Sequence, residues 1–183
     1  FHVTGVQTCA LPISLFAERA DAWVSVDSLA AGDTGAVCLS PSPFYLESGG
    51  QVSDTGQLRS TGLEATVEHV SRHPQFAPRL HTVRVTTGTL RRGDTVSAEV
   101  TSPTRSATRR NHTATHLLHA ALRQVLGSHV KQAGSLVAPD RLRFDFVHFA
   151  AIAPEQIQQI EDIVNGEILR NTPVVTEVKS TQE

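Results

Sequence analysis

The run His112-Thr113-Ala114-Thr115-His116 places two imidazoles four residues apart. On a helix that spacing is about one turn, so both rings leave one face and can converge on a single metal ion, zinc being an ordinary partner for neutral imidazole nitrogen. The proteases that use H-E-x-x-H carry a general-base Glu beside the first ligand, whereas Thr113 stands there, which argues against protease chemistry. Spacing alone fits a solvated histidine pair equally well. His119 lies on the same side of the helix and suits packing or a supporting hydrogen bond better than a third ligand. A second stretch runs from Pro43 to Gly56, where Gly49 and Gly50 allow close backbone approach to a ligand and Gln51 offers an amide donor and acceptor. The same residues also make an ordinary hairpin.

Two kinds of element must position these groups. From Leu15 to about Thr101 the chain alternates in short runs, over residues 22–26, 36–39, 65–70, 81–85 and 95–100, which predicts strands. Gly32-Asp33, Gly49-Gly50, Asp54-Thr55-Gly56, His73-Pro74 and Arg92-Gly93-Asp94 supply turn chemistry between them. A small, mostly antiparallel barrel or sandwich follows, with a junction at Ser102-Pro103. Beyond it the period becomes helical from about Ser106 to Leu126, closed by Gly127, with Ala114, Leu118, Ala121, Leu122, Val125 and Leu126 on one apolar stripe. Arg141–Val147 alternates like a strand, and Pro154 opens a second helix whose buried side is Ile157, Ile160, Ile163, Val164 and Ile168. Pro173–Lys179 reads as a last strand.

The fold class is therefore α+β: a β-barrel-like subdomain over residues 15–103, then a helix-and-sheet subdomain over 104–183 that ends before it closes. Residues 1–14 show neither period and no charge beyond His2, and they resemble the in-frame translation of a sequencing-library adapter, so they are set apart as non-native.

Composition narrows the function classes. With 183 residues, 39% hydrophobic, the chain can bury a core. Its net charge of -2 excludes a globally basic nucleic-acid binder and leaves local cations for any RNA contact: Arg109, Arg110 and Lys131 first, with Arg105, Arg141 and Arg143. With one Trp and one Tyr, no stacking platform for bases is evident. Two cysteines, Cys9 and Cys38, and no apolar run of membrane-spanning length point to a reducing, cytoplasmic setting.

Taken together, Phe44–Gly56, Arg110–Leu122, His129–Val137 and Arg143–Phe146 resemble, in order and spacing, the editing region of alanyl-tRNA synthetases, from about Leu15 to the end. Freestanding alanyl-tRNA editing proteins share these motifs. The resemblance implies a zinc-dependent deacylase that removes serine or glycine from alanine-specific tRNA, with His112 and His116 as two of four Zn2+ ligands and a later Cys and His beyond Glu183. It implies that Gln51 orients substrate, and that Ser42, where the family commonly has threonine, selects the amino acid. ATP and Mg2+ would belong to an aminoacylation domain of the parent ligase. The alternatives are a freestanding editing deacylase, an inactive tRNA-binding fragment, and a structural domain whose histidines are satisfied in a core.

Overall fold

The computed structural model describes residues 7–19, 22–73, 76–173, 175 and 177. Among the described residues nine strands come first: β1 (Gln7–Arg19), β2 (Ala22–Val26), β3 (Ser28–Ala30), β4 (Thr34–Ser40), β5 (Gly56–Ser60), β6 (Leu63–His73), β7 (Phe76–Thr87), β8 (Thr89–Arg91) and β9 (Val96–Val100). They pair in the order β1-β4-β7-β6-β5-β9, and β9 returns to β1, so six antiparallel strands close into a barrel. Closure removes the unpaired edges that an open sheet would present.

Strand β1 makes closure possible by changing neighbours along its length. Residues Gln7–Ala10 pair with β9, Leu15–Arg19 pair with β2, and its other side pairs with β4. Residues 7–14, set apart from the fold on their sequence, are thus strand, with Ala10 fully buried. A ladder is made by backbone groups, so pairing does not require the side-chain alternation whose absence marked this stretch.

Alternation fills the barrel. On β6, Leu63, Ala65 and Val67 point inward while Glu64 and Glu68 face solvent; a register shift between Val67 and His69 then moves the next inward residue to Val70. With Leu15, Leu58, Phe44, Val83, Leu90 and Val96 these residues form one continuous core.

The second part is α1 (Ser102–Leu126), β10 (Lys131–Val137), β11 (Leu142–Val147) and α2 (Pro154–Arg170), with β10 and β11 an antiparallel pair. Helix α1 starts at Ser102 rather than about Ser106, because Pro103 sits in the first turn, where its missing N–H costs no hydrogen bond. Ala121, Leu122, Val130 and Ile160 are the buried centre, and Leu118, Phe144, Phe146, Ile163 and Val164 pack around them. Only the middle of the expected α2 face is covered: Ile160 is buried where α2 packs on α1, while Ile157 and Ile168 are exposed. The last strand expected at Pro173–Lys179 lies outside the described residues apart from Pro173, Val175 and Glu177. Among the described residues no helix is long and apolar enough to cross a membrane.

Candidate functional site

The two stretches singled out by sequence meet where the barrel touches α1 and β10. The loop from Pro43 to Thr55 leaves the barrel and is clamped at several points. Asp54, buried, accepts the Tyr45 N–H at 2.6 Å and a two-pronged contact from Arg105, whose Nε lies 2.7 Å from Oδ1. Arg105 Nη2 also donates to the Pro43 carbonyl at 3.3 Å. Ser53 Oγ accepts the Val70 N–H at 3.0 Å and contacts His69 Nδ1 at 2.9 Å. Arg105, expected among the RNA-facing cations, is thus spent on fixing this loop to the first turn of α1. A fork-shaped guanidinium against a buried carboxylate is suited to that.

The paired glycines do permit a close approach, but to the protein's own backbone. Gly50 has φ +80°, and a Cβ there would lie 2.3 Å from the Ser135 carbonyl oxygen; Gly49 faces open space. Around that contact Val137 N donates to Gly50 O at 2.8 Å and Val52 N to Val137 O at 3.0 Å, so Gln51 joins β10 as a short parallel bridge. Gln51 is thereby buried with its amide oxygen 2.7 Å from His112 Nδ1, which donates to it.

His112 and His116 stand on the exposed side of α1 with ring centroids 5.1 Å apart and planes 17° from parallel. Partial burial and then the neighbouring His116 hold the His112 pKa below its ordinary value. Arg109, three residues before His112, shares this face. His119 instead packs on the Phe144 ring at 5.1 Å, its Nε2 buried without a hydrogen-bond partner.

Ser42 belongs to another arrangement. His81, fully buried in β7, donates from Nδ1 to the Val37 carbonyl at 2.8 Å, so its Nε2 accepts the Ser42 hydroxyl at 2.7 Å. Ser42 Oγ in turn accepts the Phe44 N–H at 3.3 Å. Burial, with Arg79 adding to it and the Val37 bond opposing, lowers the His81 pKa to about 4, so the ring is neutral. The structure therefore joins Gln51 to His112 and joins Ser42 to His81, with no hydrogen bond between the two pairs among the described residues. Lys131 begins β10, six residues from Val137, which puts it about 20 Å along the strand from Gln51. His81 and Asp54 were the residues that sequence reasoning missed: one reads as a strand position and the other as turn chemistry.

A six-stranded barrel joined to a helix-and-hairpin unit defines an α+β protein whose polar seam lies between its two parts. The family described as tRNA synthetases class II (A) matches residues 13–104. The chain is 51% identical over 154 residues to the alanine–tRNA ligase of Thermotoga maritima, covering 84% of this chain and 18% of that protein. It is 52% identical over 153 residues to the alanine–tRNA ligase of Pseudomonas fluorescens, covering 84% and 17%, and 48% identical over 164 residues to that of Nitrosococcus oceani, covering 90% and 19%. The chain belongs to the family of class II (A) tRNA synthetases, and it spans about a fifth of the length of these relatives.

These findings correct the reading of the chain as a proofreading region. The family matched is that of the aminoacylating synthetases, which overturns the expected hydrolysis of seryl- or glycyl-tRNA, whether within a synthetase or as a freestanding deacylase. The zinc expectation falls as well. The rings of His112 and His116 lie beside each other, but two imidazoles by themselves are half of a four-ligand zinc site. His112 Nδ1 is also taken by Gln51, and among the described residues no group of three or more His, Cys, Asp or Glu is arranged to hold a metal ion. Cys38 is buried in the barrel wall, with burial raising its thiol pKa, and Cys9 lies on β1.

Proposed function

We propose that the chain is a segment of the aminoacylation region of an alanine–tRNA ligase, and that it helps to hold the tRNA during charging. The observation that carries this is the 51% identity with the Thermotoga maritima ligase over 84% of the chain. The geometry supports it in a particular way. The barrel is a closed scaffold, the clamped Pro43–Thr55 loop fixes α1 against it, and α1 presents Arg109, Arg110, His112 and His116 on its exposed surface. Among the described residues neither arginine has an acidic partner, so both are available to phosphate oxygens. In this reading Gln51 orients the His112 ring that faces the RNA, while Ser42 and His81 brace the loop from the barrel side. The partner is alanine-specific tRNA and the setting is the cytoplasm of the producing cell.

The test is a chimera in which residues 13–173 replace the aligned part of the Thermotoga maritima ligase. Charging of tRNA with alanine is expected, with Arg109→Ala plus Arg110→Ala raising the KM for tRNA and flattening its salt dependence. A folded chimera that charges no tRNA would sink the proposal.

A further inference from the structure

Beyond the seam, the far end of the β10–β11 pair carries three rings in mutual contact. The register sets them together: Lys131 lies opposite Val147, so the chain just before β10 and the chain just after β11 emerge side by side. His129 Nε2 and His148 Nδ1 are 2.8 Å apart, with ring centroids at 5.1 Å and planes 20° from parallel. Phe149 lies 4.7 Å from each imidazole, yet it is 83% exposed. The phenyl ring thus rests on two polar rings at the surface rather than in the core, and it turns most of its area toward solvent. Sequence reading found no stacking platform because His129 and Phe149 are twenty residues apart and neither is Trp or Tyr.

From this geometry we infer that His129, His148 and Phe149 form a stacking platform for an unpaired nucleobase of the bound RNA, an inference that rests on the tRNA-binding reading above. Three observations favour a base over an apolar protein surface. The platform is mixed, an exposed phenyl face beside two imidazoles whose edges can meet base edges. Lys131 is exposed beside it, with no acidic partner among the described residues, and suits the phosphate of the stacked nucleotide. No buried apolar residue lies within the group; the nearest core member is Val130, which faces inward. Aromatic stacking of this kind is tolerant of base identity, so the platform holds an unpaired strand without reading its sequence.

The experiment uses the 183-residue chain and alanine tRNA with 2-aminopurine in its unpaired 3′ tail. Binding is expected to quench the probe. Phe149→Ala should abolish quenching and weaken binding about tenfold, Phe149→Trp should retain both, and Lys131→Ala should weaken binding and lower its salt dependence. Because Phe149 is exposed, its variants should melt with the wild type. If the wild type binds tRNA and Phe149→Ala neither weakens binding nor changes quenching, the platform is overturned while the ligase reading stands. If Phe149→Ala alters self-association and not RNA binding, the patch is a protein interface and the inference fails. If the wild type binds no tRNA the platform falls too, and the charging assay of the chimera decides the ligase reading on its own.

Discussion

The barrel and the helix-and-hairpin unit solve the problem of backbone pairing in opposite ways. In the barrel each of the six strands finds two neighbours, and the alternating side chains close over one core. In the second unit two strands pair with each other and, beyond that, only through the short bridge from Gln51 to Val137 among the described residues, and Val147, Ile157, Ile168 and Leu169 are left exposed. A closed sheet is complete in itself, whereas a two-stranded one depends on what it packs against. The second unit gains much of that support from the seam, through Asp54–Arg105, Gly50–Ser135 and Gln51–His112.

The sharpest way to break the comparison is Asp54→Ala. It leaves the partly buried Arg105 guanidinium without its carboxylate, which should cost up to about 3 kcal/mol. The loss should fall on the coupling, so differential scanning calorimetry should resolve a second transition at lower temperature for the helix-and-hairpin unit. A single, slightly lowered transition would show that the two parts are not joined there.

A smaller effect belongs to the barrel alone. His81 has its pKa lowered to about 4 by burial, so the unfolded chain binds its proton more readily. Its contribution is therefore complete above the unfolded value near 6.5, declines as pH falls toward 4, and changes no further below that. About 2 kcal/mol of this should be lost between about pH 7 and about pH 5. Urea titrations at the two pH values check it, and His81→Gln should remove that part of the slope.

The smallest effect tests the open side. Ile168 is half exposed at the end of α2, and Ile168→Ser should change stability by no more than about 0.5 kcal/mol. Ile160→Ser, in the buried centre of the same helix, should cost several-fold more. Equal effects in thermal melts would mean that the exposed end of α2 is covered after all.

Much of this architecture was legible in the chain. Period-two runs marked β2, β4, β6, β7 and β9, the helical stripe marked α1, and Pro154 marked the start of α2. Local preference decides these elements, because side-chain period and proline geometry act within a few residues. Strands β1, β3, β5, β8 and β10 were missed, being short or lacking alternation and existing through the neighbours that pair with them.

The site divides in the same way. Sequence marked Gly50, Gln51, His112 and His116 as residues of consequence, since their types and spacing are local facts. What they touch is not. That Gly50 meets Ser135 and that Gln51 accepts a hydrogen bond from His112 are outcomes of packing between residues 85 and 61 positions apart in the chain. The sequence by itself determined that this chain has a strand-rich half and a helical half with polar residues marked at fixed positions. Tertiary structure alone decided which faces meet, because the balance between a metal ligand and a hydrogen-bonded imidazole depends on directions of lone pairs that no spacing along a chain contains.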